Sequence, residues 1–457
     1  LAGRTRRSFL ERYCDTDTLV CTAHFPGQSV GRFTRWDEGF RFKPAGGRPG
    51  AGLRQNATDA CLTGPKPAGS ASETAVERER ETSMVMDAGI DRPATRNDRI
   101  VSNWLFACCA AVLAMVVIGG ITRLTESGLS IVEWQPLVGA LPPLSEDAWQ
   151  RLFGLYQQTS EYRLENSWMT IADFKTIFWW EYIHRLWGRL IGLIFILPLI
   201  YFAWRGMLRR GLGLKLVAVF ALGGVQGAIG WWMVKSGLVD RTTVSPYRLT
   251  VHLGLALVLF GLMFWIALGL RGERATAGGV PPSLRRLVWI VLGAVGVTVL
   301  AGAFVAGNRA GLVYNTFPLM DGRIVPPDYA ALPSLLHNTF ENPAAVQFHH
   351  RVLAVATFIL VALLWWRTVQ AEAPRAVRTA VASLMAAVTV QAATGITTLI
   401  LVVPIPLAAV HQGGAVVVLG CALWAAHAML PRRAAAEAGG REMPTRPRPA
   451  TASRAHG

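Results

Sequence analysis

EYIHRLWGRLIGLIFILPLIYFAW, residues 181–204, opens with a glutamate, a histidine and an arginine and then runs almost unbroken through apolar side chains. As a helix rising about 1.5 Å per residue, such a run spans the ~30 Å hydrocarbon core of a bilayer. It is one of roughly eight stretches of that kind, at about 104–121, 183–204, 214–234, 249–270, 287–306, 350–366, 379–401 and 407–430. None shows the period-two alternation of a membrane strand, so the pattern predicts an all-α polytopic membrane protein with eight transmembrane helices. Composition agrees: 52% of the 457 residues are hydrophobic and 16% are charged, with the apolar residues gathered into blocks.

Lys and Arg in the short loops orient the chain. Arg205, Arg209, Arg210 and Lys215 follow the second span; Arg271, Arg274, Arg285 and Arg286 follow the fourth; Arg367, Arg375 and Arg378 follow the sixth. These loops are expected on the cytoplasmic side, with both termini, and Arg432 and Arg433 after the last span agree. The net charge of +16 is then largely a positive-inside pattern. No soluble basic domain accompanies it, so nucleic acid is not an expected partner.

Residues 1–97 are rich in Gly, Pro, Arg and Ser and hold no apolar run of spanning length. They are expected to be a disordered extension, or an artefact of a start upstream of Met84. Ten acidic residues among positions 1–83 do not suit a mitochondrial presequence. Residues 432–457 are expected to be a disordered cytoplasmic tail. The six cysteines lie in the extension (Cys14, Cys21, Cys61) or inside spans (Cys108, Cys109, Cys421), so neither a disulfide nor a C-x-x-C haem attachment is expected.

The chain repeats itself once. EYIHR (181–185) is echoed by QFHHR (347–351), VQGAIG (225–230) by VQAATG (390–395), and TVHLG (250–254) by AVHQG (409–413). GL at 128–129 and PP at 142–143 return as GL at 311–312 and PP at 326–327. The echoes keep their order, which predicts two pseudo-repeated four-helix bundles, residues 98–275 and 276–431. An even number of spans per half makes the repeat parallel, unlike the inverted repeats of many transporters.

Four of the nine histidines sit at matching places: His184 and His252, His350 and His411. Each is expected to open a span that begins outside, so each half presents one imidazole from each of two helices at similar depth. That is the donor set of a bis-histidine haem site between helices. Zinc or copper is less well served, because each half offers only two ligands and no Cys or Asp joins them. His349, His337, His427, His24 and His456 are not expected to be ligands. Arg185 and Arg351 follow the ligands directly and suit bidentate pairing with haem propionates.

Three positions before the histidine the halves differ, with Glu181 in the first and Gln347 in the second. Residues i and i+3 share a helix face, so each points near its haem. Glutamate can move protons and glutamine cannot, which marks the first half as an oxidation site and the second as a redox relay. The competing reading of Glu181 is an ion pair with Arg185, one turn on. The first outward loop is the longer one and mixes Trp and Phe with Glu133, Asp173 and Lys175; it is expected to lie in the interface or cap a large apolar ligand. Arg189 carries no assignment. From the residues alone, a dihaem cytochrome exchanging electrons with quinone and a haem or small-molecule transporter both stay open.

GGITRLTESGLSIVEWQPLVGALPPL, FWWEYIHRLWGRLIGL, TVHLGLAL, AGNRAGLVYNTFPLMDG, ENPAAVQFHHRVLA and AVHQGGA together resemble the haem A synthase family, over about residues 99–430. The likeness is to its alphaproteobacterial and mitochondrial branch; the cysteine pair that other members carry in the first outward loop is missing. The resemblance implies oxidation of the C8 methyl of haem O to a formyl group by successive hydroxylations, giving haem A for cytochrome oxidase. It implies His184 and His252 as ligands of the substrate haem with Glu181 as the catalytic residue, and His350 and His411 as ligands of a bound haem b. Implied partners are haem O and haem A, haem O synthase (the protohaem farnesyltransferase), an electron acceptor and membrane lipid, with a homo-oligomer left open. The implied location is a bacterial inner membrane, with the haem sites near the periplasmic side.

Overall fold

The computed structural model describes residues 15, 20–21, 30–36, 39–44, 94–133, 139, 141–239, 243–272 and 280–431. The chain divides into two units, Leu1–Met86 with Ala331–Leu335, and Asp87–Ala330 with Leu336–Gly457. In the smaller unit the described residues form an antiparallel sheet of β1 (Val20–Cys21), β2 (Val30–Trp36) and β3 (Gly39–Pro44), with Trp36 opposite Gly39. The stretch expected to lack structure up to residue 97 therefore contains strands. The signal is a short period-two alternation, Phe40 and Phe42 against Arg41 and Lys43, easily lost among the surrounding Gly and Pro. The rest of that stretch up to residue 93, and the tail from 432, lie outside the described residues.

The larger unit is helical: α1 (Arg96–Leu124), α2 (Glu146–Tyr156), α3 (Ile171–Trp204), α4 (Leu212–Val239), α5 (Pro246–Arg271), α6 (Pro282–Gly307), α7 (Leu335–Glu341), α8 (Pro343–Gln370), α9 (Arg375–Ile400) and α10 (Ile405–Ala428). All but α2 and α7 are long and apolar enough to cross a membrane. The larger unit is thus all-α, with the eight spans of a polytopic membrane protein. Helix starts follow local chemistry. Pro occupies the first turn of α5, α6, α8 and α10, where its missing N–H costs nothing. Thr95 with Asp98 and Thr170 with Asp173 form capping boxes on α1 and α3.

That second capping box moves a boundary. The sequence places the start of the second span near residue 183, whereas α3 begins at Ile171. Its first turns put Phe174, Ile177 and Phe178 on one face against Trp149 and Tyr156 of α2. An outward-loop segment without regular structure is therefore replaced by a helix extension whose aromatic cluster braces the loop. Hydropathy alone hid it, because Asp173 and Lys175 interrupt the apolar run.

Within the first half α1 packs on α3 and α5; within the second, α8 packs on α6 and α9 on α10. The halves also pack on each other, α1 and α5 on α10, and α5 on α6. Gln412 on α10 donates to the Val116 carbonyl of α1 at 2.9 Å. Gly120 leaves room for it, since a methyl there would meet the Gln412 amide oxygen at 2.7 Å. Two apolar cores, one around Leu105, Leu216 and Met263 and one around Val288, Leu384 and Met429, fill each half at the end away from the four histidines. Exposed Leu193, Leu197, Ile200, Leu214 and Val217 line the surface of α3 and α4, as lipid contact requires. An apolar cavity of about 270 Å³ opens among α1, α5 and α10, lined by Phe106, Leu113, Phe260 and Trp424. It lies deeper than the histidines and has no part in their geometry.

Candidate functional site

The four repeat-related histidines lie on α3, α5, α8 and α10, and each imidazole rests on a glycine of the preceding span. A methyl built on Gly119 of α1 would lie 2.8 Å from Cε1 of His184, and one on Gly230 of α4 would lie 2.9 Å from that of His252. In the second half the distances are 3.1 Å from Gly302 of α6 to His350 and 2.6 Å from Gly395 of α9 to His411. Any larger side chain displaces the ring. A mid-helix glycine costs ~1 kcal/mol against alanine, so four of them, each under an imidazole, are placed for the rings rather than for the helices.

The VQGAIG and VQAATG echoes gain a physical meaning here. Gln226 and Gly230 are four residues apart on one face of α4, as Gln391 and Gly395 are on α9, so each pair meets a single histidine. The Gln226 amide nitrogen donates to the His252 carbonyl at 3.0 Å and lies 3.2 Å from its Nδ1. Gln391 donates to the His411 carbonyl at 2.8 Å, and the Thr394 hydroxyl stands 3.5 Å from His411 Nδ1. His350 Nδ1 is 3.2 Å from the Thr298 carbonyl. His184 Nδ1 is buried and has no hydrogen-bond partner among the described residues. Sequence reading singled out the histidines and passed over these glutamines and glycines, although both stand in the echoed segments.

Glu181 and Gln347 are both buried, at 3% and 2% exposure. One Glu181 oxygen accepts from Arg185 Nε and a guanidinium terminal nitrogen, at 3.1 and 2.6 Å. The other accepts from the Ser130 hydroxyl and the Ile131 N–H, both at 2.7 Å. Arg185 continues to the carbonyls of Ile131 and Glu133. Gln347 instead donates to the carbonyls of Ala310 and Tyr314 and accepts from Arg351 at 3.1 Å. Arg351 reaches the carbonyls of Tyr314, Thr316 and Leu319, while its Nε is buried and unpartnered. In each half the arginine after the histidine thus ties its helix to the loop at the histidine end, and the competing ion pair of Glu181 with Arg185 is present.

The remaining histidines stand apart. His349 meets the Tyr329 hydroxyl at 2.9 Å, His427 packs edge-on against Trp265 near the far end of α10, His337 lies in α7, and His24 and His456 fall outside the described residues. Among the described residues no group of three or more His, Cys, Asp or Glu side chains is placed to hold a bare metal ion.

Between the halves the loop residues Glu126 and Arg309, which occupy equivalent positions in the two GL segments, pair at 2.7 Å. Both adopt positive φ, 56° and 53°. Nearby Glu161 is 4% exposed, with one carboxyl oxygen unpartnered. Burial, followed by the charges of Glu126, Glu181 and Glu165, pushes it up to about 8. Nothing in its neighbourhood, QQTSEYRLEN, repeats or alternates, so no sequence signal marked it.

An eight-span helical membrane protein with a glycine-backed histidine pair in each half is the class defined by this fold and site. A family model described as "Cytochrome oxidase assembly protein" (COX15-CtaA) matches residues 102–423, and the chain belongs to that family. Among similar proteins, the "Heme A synthase" of Nitrosospira multiformis is 51% identical over 334 residues, covering 72% of this chain and 92% of that one. That of Nitrosomonas eutropha is 46% identical over 346 residues, covering 75% and 97%. That of Rhodospirillum centenum is 47% identical over 344 residues, covering 75% and 92%.

Proposed function

We propose that this chain oxidises haem O to haem A, taking the substrate haem between α3 and α5 and holding haem b between α8 and α10. The observation that carries this reading is the donor set. Each half offers two imidazoles seated on glycines, and the described residues give no third donor for a bare ion. Two axial imidazoles suffice for a metal whose equatorial ligands come from a porphyrin. The name borne by the relatives, Heme A synthase, supports the same chemistry.

His184 and His252 are the proposed ligands of the substrate iron; His350 and His411 are those of haem b. Bound haem b supplies one-electron redox chemistry next to the substrate half. The residues do the rest. Oxidation of the C8 methyl to a formyl group removes electrons in pairs and releases protons. Glu181, a carboxylate beside His184 with hydrogen bonds to Arg185, Ser130 and Ile131, is the proposed acceptor of those protons and a stabiliser of positive charge at the methyl carbon. Arg185 and Arg351 hold the outer loops over the sites, and the unpartnered Nε of Arg351 is a donor left for a propionate.

The haem sites are proposed to face the periplasm, with both termini in the cytoplasm of a bacterial inner-membrane protein. Proposed partners are the haem O synthase that delivers substrate and an electron acceptor. The test is to coexpress the full chain with a haem O source, purify it and identify the extracted haems by mass. Haem A or its hydroxylated intermediate is the expected result. Unmodified haem O alone would contradict the reading and favour a dihaem cytochrome that only passes electrons.

A further inference from the structure

Superposing the repeat by its histidines makes Thr298 of α6 equivalent to Met115 of α1, and Thr357 of α8 equivalent to Ile191 of α3. The threonine pair does something the apolar pair cannot. Thr298 Oγ1 lies 2.8 Å from Thr357 Oγ1 and 3.3 Å from the Leu353 carbonyl, bonding across to α8. A threonine within a helix more often bonds back to its own preceding turn. This cross-helix bond fixes the Thr298 backbone where its carbonyl meets His350 Nδ1, one turn before Gly302. In the first half Met115 stands one turn before Gly119; α1 and α3 are tied by Thr122 Oγ1 to the Trp180 carbonyl and by Trp187 Nε1 to the Ala111 carbonyl, neither of which fixes the backbone at Met115, and His184 Nδ1 has no acceptor among the described residues.

We propose that Thr298 and Thr357 are positioning residues that make His350 the firmly held axial ligand of a resident haem. Met115 and Ile191 leave His184 the exchangeable ligand of the half that must admit substrate and release product. The inference rests on the reading of the two histidine pairs as haem sites. An imidazole that binds iron through Nε2 carries its proton on Nδ1. An oxygen accepting that proton fixes the tautomer, holds the ring plane and strengthens the Nε2 donor. Loss of such a partner typically weakens metal binding ~10–100-fold. The same fold thereby keeps one porphyrin and trades the other.

The test uses full-length protein purified with its haems, mixed with excess apomyoglobin as haem acceptor, the transferred haems being told apart by mass. Wild type is expected to give up haem O or haem A faster than haem b. Thr298→Val with Thr357→Val, which frees the Thr298 carbonyl without removing it, should speed haem b transfer up to about tenfold, the lower end of the range for a lost partner, and change the electron paramagnetic resonance signal of that haem, leaving first-half transfer as it was. Serine at both positions should restore wild-type behaviour. The reciprocal change, Met115→Thr with Ile191→Thr, should slow first-half transfer, and it decides the matter if the valine variant does not accumulate. Wild-type haem b transfer and an unchanged signal in the valine variant, or unchanged first-half transfer in the reciprocal one, overturns the inference alone. A wild-type protein holding no haem that His350→Ala removes overturns the two-site reading as well.

Discussion

Between α1 and α3 the imidazole of His184 rests on Gly119 beside a buried carboxylate; between α6 and α8 that of His350 rests on Gly302 beside a buried amide. The exchange of Glu181 for Gln347 does more than delete a charge. Glu181 accepts from the loop, through the Ile131 N–H and the Ser130 hydroxyl. Gln347 donates to its loop, through the carbonyls of Ala310 and Tyr314. Both still accept from the arginine four residues on. The two halves thus share the histidine geometry and the loop clamp, while the polarity beside the imidazole is reversed. Chemistry can be lost or gained at such a position without moving the ligands.

That comparison can be broken most severely at the glycines. Alanine at Gly395, Gly119, Gly230 and Gly302 should deplete haem from the affected half in that order, following would-be contacts of 2.6, 2.8, 2.9 and 3.1 Å. Haem per protein, measured by absorbance after purification, should fall at least about tenfold for Gly395→Ala, as expected when a ligand is misoriented. Next comes Glu181→Gln, which gives the first half the second half's side chain. With both haems retained, haem A formation should drop on the order of 100-fold or more, the usual scale of a lost acid or base. Full haem A production in that variant would sink the catalytic assignment.

A smaller effect concerns Glu161, whose carboxyl is pushed up to about 8 by burial and neighbouring carboxylates. A group with a raised folded value contributes its stability in full below the ordinary carboxylate range. That contribution fades as pH climbs through about 8, and here it amounts to a few kcal/mol in order of magnitude. The thermal midpoint in detergent should therefore decline as pH rises from the ordinary carboxylate range to about 8 and level off above it, and Glu161→Gln should flatten the decline. The least effect is expected at the junction of the halves. Arg309 and Glu126 are 38% and 43% exposed, and Arg309→Ala should cost only ~0.2–1 kcal/mol, less at high salt.

The class, the number of spans and the four histidines were legible because each leaves a one-dimensional mark: an apolar run, an internal echo, an ionisable residue near a span. What surrounds the imidazoles left weaker marks. Gly119 and Gly302 matter only through a ring on the next helix, and Gln226 and Gln391 only through the histidine that each bonds. The extension of α3 to Ile171 was obscured by the charged residues of its capped first turns. Glu161 is buried by tertiary packing alone, at the head of a π-helical turn (Tyr162–Asn166) whose sequence shows no periodicity. Side chains that serve their own helix announce themselves along the chain, whereas those that serve a neighbour do so only once the helices are packed.

The division of labour between the halves is tested most directly by extracting and weighing the haems of two double variants, each coexpressed with a haem O source. His184→Ala with His252→Ala should retain haem b and carry neither haem O nor haem A; His350→Ala with His411→Ala should lose haem b while keeping haem O that is not converted. The reverse distribution, or haem A formed by the protein lacking the second pair, would contradict the assignment of substrate to the first half and redox cofactor to the second.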